Sequence, residues 1–283
     1  MTLHAIMETM TRQQYQPFWR VIEGLEEFFI STSSPLETLD IWRSMLRHKS
    51  TLRKFVHHQR AIDYNDQEPC DLPDLSFMPD DIVTLKKDSS QNPFSGLDLE
   101  CIGICCIPKL LKPIISPLTK KSSLKVLHIR QSGSDLKRFR SWGIRYAVSA
   151  ADPHGESDEM DSSTSATGSS ESSEDKRSGE SLSKEKRFPE IPEALDKFAQ
   201  WAFGHKGFRS LQVLAFGDFS YNGRYSRGNV LLCRKSDSAQ MQQGGLPGKN
   251  YRHLTKGDQS LRDLLRKYFH VLQACPTDLL LKD

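Results

Sequence analysis

The sequence predicts an α/β fold: a degenerate repeat solenoid with a parallel concave sheet and outer helices, interrupted by a disordered insertion. Three observations predict it. A short pattern, apolar-x-x-apolar-x-apolar, recurs along the chain; segments of helical periodicity lie between the recurrences; and one Ser-rich acidic stretch has almost nothing to bury. The best-preserved recurrence is at residues 123–130. There Leu124, Leu127 and Ile129 fall on one side of a short strand, and the residues between them face outward.

Four further stretches carry the same three positions: Leu25, Phe28, Ile30; Leu52, Phe55 and a poor third position, His57; Phe94, Leu97, Leu99; and Leu211, Leu214, Phe216. Their first positions are 27, 42, 30 and 87 residues apart in chain order. Two of these intervals lie at or next to the leucine-rich-repeat period of about 20–29 residues, and the other two contain visible insertions. The competing reading is a set of unrelated buried strands in an ordinary α/β domain.

Residues 1–23 read as a helix buried through Phe18, Trp19, Val21 and Ile22. After the first rung, Ser34, Pro35 and Glu37 have the order of a capping box: the serine accepts from a first-turn amide, and the glutamate reaches back. Leu36, Leu39, Trp42, Met45 and Leu46 then repeat at helical spacing. Residues 63–91 are polar and rich in Pro and Asp, as in a loop between repeats. Pro113 and Pro117 interrupt the apolar face of 107–118, which predicts a kinked or partly 3₁₀ segment on the outer side. Ala194, Leu195, Phe198 and Trp201 form another helical face, stopped near Gly204 and Gly207. Residues 260–274 read as a last helix, with Leu261, Leu264, Leu265, Tyr268, Phe269 and Leu272 inward, closing the open end of the stack.

The chain divides into three regions: repeats over 1–150, a disordered acidic insertion over 151–187, and a last repeat with its cap over 188–283. The insertion holds 11 Ser, ten acids and five Lys or Arg in 37 residues and no aromatic, so burial cannot offset its ordering entropy. Ser172, Ser173, Glu174 and Asp175 would suit an acid-directed kinase. The chain's net charge is +3 and the insertion's is −5, so the remainder carries about +8. That charge is spread too widely to argue for nucleic acid. No apolar run is long enough to span a bilayer, and residues 1–8 lack the charged-then-apolar order of a secretory signal. The six cysteines include no C-x-x-C pair, and Cys101, Cys105 and Cys106, in an apolar run, read as reduced and buried residues of a cytoplasmic or nuclear protein.

Catalytic patterns are missing: there is no G-x-S-x-G, no phosphate loop and no H-E-x-x-H. No metal or cofactor is expected. His57 and His58 are adjacent in a strand, so they face opposite sides and cannot chelate one ion. The outward positions of the repeat pattern are Phe29, Val56, Asp98, His128 and Ala215, then Ser31, His58, Glu100, Arg130 and Gly217. Such a mixture on one curved face suits protein recognition. The candidate partner-binding residues are His58, Asp98, Glu100, His128 and Arg130, with Asp218, Tyr221 and Arg224 from the loop after the fifth rung.

The runs 211–226 (Leu-Gln-Val-Leu-Ala-Phe-Gly-Asp-Phe-Ser-Tyr-Asn-Gly-Arg-Tyr-Ser), 229–234, 251–255 and 274–276 resemble the C-terminal region of filamentous-fungal leucine-rich-repeat proteins, some of which carry an N-terminal F-box. The resemblance implies a repeat fold and a binding role and supplies no catalytic residue. Met78-Pro79-Asp80-Asp81-Ile82-Val83 echoes an F-box opening, but residues 84–89 do not read as the helix pair that module needs, so an F-box is not evident. The expected function is a non-enzymatic scaffold binding a protein on its concave sheet, with ubiquitin-ligase components as one setting. The alternatives are an α/β enzyme with a site in the loop from Gly217 to Arg234, and a basic nucleic-acid-binding module.

Overall fold

The computed structural model describes residues 1–7, 22–32, 38–59, 79–131, 188–189, 191–220, 229–235, 246 and 248–275. Among these, eight strands form one sheet whose spatial order is the order of the chain. The strands β1 (Thr2–Met7), β2 (Glu27–Thr32), β3 (Lys54–Gln59), β4 (Cys101–Cys105), β5 (Val126–Arg130) and β6 (Val213–Gly217) run parallel. Two more, β7 (Val230–Arg234) and β8 (Tyr251–His253), continue the sheet antiparallel. The fold is α/β with a mostly parallel sheet.

Parallel neighbours need a crossover, and helices supply it. Helix α1 (Thr38–Met45) follows β2, α2 (Pro79–Lys87) precedes β4, α3 (Pro108–Ile115) joins β4 to β5, and α4 (Glu193–Ala202) precedes β6. All four turn their apolar stripes to one face of the sheet. Trp42, Ile82, Leu111 and Phe198 join Phe28, Phe55, Ile102, Leu127 and Leu214 in a single buried core. Pro113 sits inside α3, and the 3₁₀ turn Ser116–Lys120 follows directly, as the two prolines predict.

The repeat positions stack in register. Phe28, Phe55, Ile102, Leu127 and Leu214 lie across from one another, as do Ile30, His57, Ile104, Ile129 and Phe216. A main-chain ladder runs beside them: the carbonyls of Met1, Glu26, Arg53, Glu100 and Lys125 each accept two amides from the next rung. By this ladder the rung at β4 begins at Leu99 and runs through Ile102 and Ile104, which corrects the assignment to Phe94, Leu97 and Leu99. Both frames share Leu99 and both fit the pattern. Pro93 and the Asn92 cap, which accepts from the Phe94 amide at 3.0 Å, turn 93–95 into a 3₁₀ turn outside this ladder.

Three other expectations need correction. The chain begins with β1, where a helix over 1–23 was expected, because Thr2–Met7 pairs with β2 and extends the sheet. The polar stretch before β4 contains α2, which buries Ile82 and Leu85 and exposes Asp80, Lys86 and Lys87. Helices α5 (Gln259–Lys267) and α6 (Phe269–Gln273) do not close the end of the stack. They lie across the sheet face that carries no crossover helix, where Tyr268, Val271, Leu272 and Ala274 cover Phe29, Val56, Cys101, Val126 and Ala215. Those sheet side chains are apolar, and covering each large one is worth roughly 1.5–3 kcal/mol, which favours this docking over an end cap. The bend at Tyr268 also turns Phe269 outward to 47% exposure, although its sequence position reads as inward. The capping residues Ser34, Pro35 and Glu37, the acidic insertion, and Tyr221 and Arg224 lie outside the described residues.

Candidate functional site: a buried guanidinium under the C-terminal strap

Side chains alternate along a strand, so the residues between the repeat positions point away from the crossover helices. At the carboxyl ends of β3, β4 and β5 this places His58, Cys105 and Arg130 on the strap side. Arg130 is only 2% exposed, and His58 and His128 are fully enclosed. The Arg130 stem passes over Gly103 of the neighbouring strand, where a Cβ would lie 3.5 Å from Arg130 Cδ and crowd Val56 Cγ2 at 3.3 Å.

The Arg130 guanidinium is nearly saturated by the strap. Nη1 donates to Leu272 O at 3.3 Å, and Nη2 donates to Ala274 O at 2.5 Å and Cys275 O at 2.8 Å. These carbonyls lie in the last turn of α6 and just beyond it, where a helix leaves its last acceptors without partners. Cys275 holds a left-handed φ of 52°, which turns the chain end so that its carbonyl meets Nη2. No carboxylate is bonded to Arg130 among the described contacts; peptide oxygens satisfy it. A buried cation requires such hydrogen bonds, so strap and arginine depend on each other.

On its other side, Arg130 Nε donates to His58 Nδ1 at 3.3 Å, and Cys105 Sγ lies 2.8 Å from the same nitrogen. A guanidinium only donates, so His58 Nδ1 presents its lone pair. A thiolate–imidazolium pair, the activated form of a Cys–His couple, would need a proton on that nitrogen. The contact with Arg130 opposes it. One rung position further in, His128 Nε2 donates to Gly217 O at 2.9 Å, and its ring meets Phe219 edge-on at 5.1 Å. Burial, and then the Arg130 charge, push the His128 imidazole well below its usual range, so it is neutral. Its Nδ1 has no hydrogen-bond partner.

A charged rim closes the other end of the strap. Tyr268 OH donates to Glu100 Oε2 at 2.6 Å, and Lys125 reaches the same oxygen at 3.4 Å. His270 Nε2 lies 3.3 Å from Glu27, which also holds Lys54 at 2.5 Å. The Tyr268 and Lys125 contacts outweigh desolvation and hold the Glu100 carboxyl low. Burial and the Glu100 hydrogen bond push the Tyr268 phenol up.

The structure therefore gathers His58, His128 and Arg130 at one buried site. Glu100 stands at the opposite, amino end of the strands, against Tyr268. Asp98 is also at that end, bonded by Ser123 Oγ at 2.5 Å. Asp218, buried just after β6, accepts from the Ser220 amide at 2.9 Å in a local turn. Cys105, Gly103 and the strap carbonyls were not read from the sequence. The frame beginning at Leu99 would have found Cys105, since it places that residue beside Arg130. No group of three or more His, Cys, Asp or Glu suited to a metal ion occurs among the described residues. None of their helices is long and apolar enough to cross a membrane. No protein-family model, curated protein or solved structure matches the chain.

Proposed function

We propose that this protein is a non-enzymatic interaction scaffold, a degenerate leucine-rich-repeat-like solenoid that binds a protein segment on the sheet face opposite its crossover helices. In the present structure residues 268–275 of its own chain fill that place. The observation that carries the reading is Arg130: a buried cation spent on the backbone carbonyls of Leu272, Ala274 and Cys275. Carbonyl recognition is peptide-binding chemistry, and it does not depend on which side chains the peptide carries. Sequential parallel strands with crossover helices on one face support the solenoid reading. The resemblance to fungal leucine-rich-repeat proteins implies a binding role, with ubiquitin ligation as one setting although no F-box is evident. The reduced, buried Cys101, Cys106 and Cys233 fit a cytoplasmic or nuclear location.

A partner would take the strap's place. The test compares proteins captured from the cells of origin by the native chain, by Leu272→Asp, and by Leu272→Asp combined with Arg130→Ala. Partners gained with the first substitution and lost with the second support the reading, and a co-purifying cullin-type adaptor would supply the ligase setting. Identical capture by all three chains contradicts it. A second reading, thiol chemistry, is favoured by the 2.8 Å approach of Cys105 to His58. It predicts rapid iodoacetamide labelling of Cys105 at neutral pH once Leu272→Asp has loosened the strap. Labelling at the rate of a free thiol removes it.

A further inference from the structure

A second feature lies away from the strap, where the loops that lead into β5 and β6 meet. Residues 119–122, with His205, Lys206, Gly207 and Arg209, line a cavity of about 420 Å³. Lys120 and Lys121 come from the first loop, and Lys206 and Arg209 from the second. No carboxylate lines the cavity, and none of these four cations forms an ion pair among the described residues. The neighbouring rungs differ: Lys54 pairs with Glu27, Arg53 with Asp98, Lys125 with Glu100 and Lys249 with Asp196.

The two loops are held in place. Ser210 Oγ donates to Ser122 O at 2.5 Å, and the Gln212 amide donates to Lys125 O at 2.9 Å. The second loop folds back on the end of α4, with the Phe208 amide donating to Ala202 O at 2.9 Å. Only glycine fits at Gly207, where a Cβ would stand 2.2 Å from Trp201 O. Lys120, Lys206 and Arg209 are exposed and Lys121 is half-buried, and four cations gathered around one cavity repel one another unless an anion joins them.

We infer that this cavity binds an anion bearing two or more phosphate groups. Its size is that of a small-ligand site, and its polar, cationic lining suits phosphate oxygens better than an apolar ligand. Two cations on each side reach phosphates from two directions. Apart from the His205 ring the lining is free of aromatics, so it offers little to stack a base, which disfavours nucleic acid. The site shares no residue with the strap, so this inference stands independently of the proposed scaffold role.

The test is calorimetric titration of the full-length protein with inorganic triphosphate. One-site binding is expected, weakened roughly tenfold by Lys206→Ala and again by Arg209→Ala, the effect of losing a hydrogen bond to a charged group. Lys86→Ala on the exposed face of α2 should leave it unchanged, and the thermal midpoint of each variant checks folding. Vesicles containing a bisphosphorylated inositol lipid form a second arm. Binding there alone, lost in the same variants, assigns the phosphates to a membrane headgroup. Absence of binding in both arms, equal weakening by Lys86→Ala, or binding confined to an RNA oligonucleotide would overturn the inference.

Discussion

Arg130 ties two structural layers together with one side chain. Arg130→Ala strands the carbonyls of Leu272, Ala274 and Cys275 and leaves a hole beside Gly103. We expect a loss of about 3 kcal/mol, because unmade buried hydrogen bonds cost more than made ones contribute. Urea unfolding measures it, and Arg130→Lys should recover only part, since an ammonium cannot reach His58 and the strap together. His57 provides the pH signature. It accepts from Trp42 Nε1 at 3.0 Å, so its Nε2 donates to Thr32 Oγ1 at 2.9 Å, and burial lowers its pKa to about 3. Burial lowers the His253 pKa to about 4 and holds His128 low as well. These imidazoles are neutral when folded and take up protons only on unfolding below the ordinary pKa of 6.5. Stability therefore falls as pH drops below 6.5, by about 1.4 kcal/mol per pH unit for each of these three histidines. Denaturation midpoints between pH 7 and 5 should show this slope. His57→Gln should flatten it by one proton's worth; an unchanged slope would mean that His57 does not titrate on unfolding. His57, His58, His128 and Arg130 were legible as alternating strand residues. That they were enclosed was not, because no local pattern states what covers a sheet.

At the scale of elements, α5 and α6 form the strap, and a single turn fixes its origin. Asp258 accepts from both terminal nitrogens of Arg252, at 2.7 and 2.5 Å, and from the Thr255 amide at 2.7 Å. Those bonds, the Arg252 pair foremost, hold its carboxyl far below the usual carboxylate range. Asp258→Ala should cost roughly 2 kcal/mol and raise hydrogen exchange across 259–275 while leaving β2 to β5 protected. Unaltered exchange in the strap would show that docking, not the turn, holds it. The amphipathic character of 260–274 is plain in the sequence, as are the paired prolines of α3. The frame of β4 is not plain, because the apolar spacing from Phe94 and the spacing from Leu99 are equally good locally. A neighbouring strand had to choose between them through the Arg53 and Glu100 carbonyls.

The whole molecule has three layers: crossover helices, a sheet, and a strap drawn from the chain's last described residues. The two apolar clusters lie on opposite faces of the sheet, so the strap can open without disturbing the larger core. Leu272→Asp should therefore remove exchange protection from 268–275 and raise binding of a hydrophobic dye, while far-ultraviolet circular dichroism persists. Simultaneous loss of protection in β2 to β5 would instead make strap and sheet one cooperative unit.

Local chemistry in the sequence determined the alternation of strands and helices, the apolar repeat positions and the face of each strand that carries His128 and Arg130. These follow from periods of 2 and 3.6 residues, which any short window displays. Tertiary structure decided the rest: the frame of β4, the addition of β1 and β8, the antiparallel pairing of β7, and the course of α5 and α6. These depend on main-chain pairing and on burial between residues as far apart as Arg130 and Ala274. Such contacts leave no periodic trace in the chain. The physical reason is that the sequence marks Phe29, Val56 and Val126 as apolar, whereas only the folded chain shows that Val271 and Leu272 are what covers them.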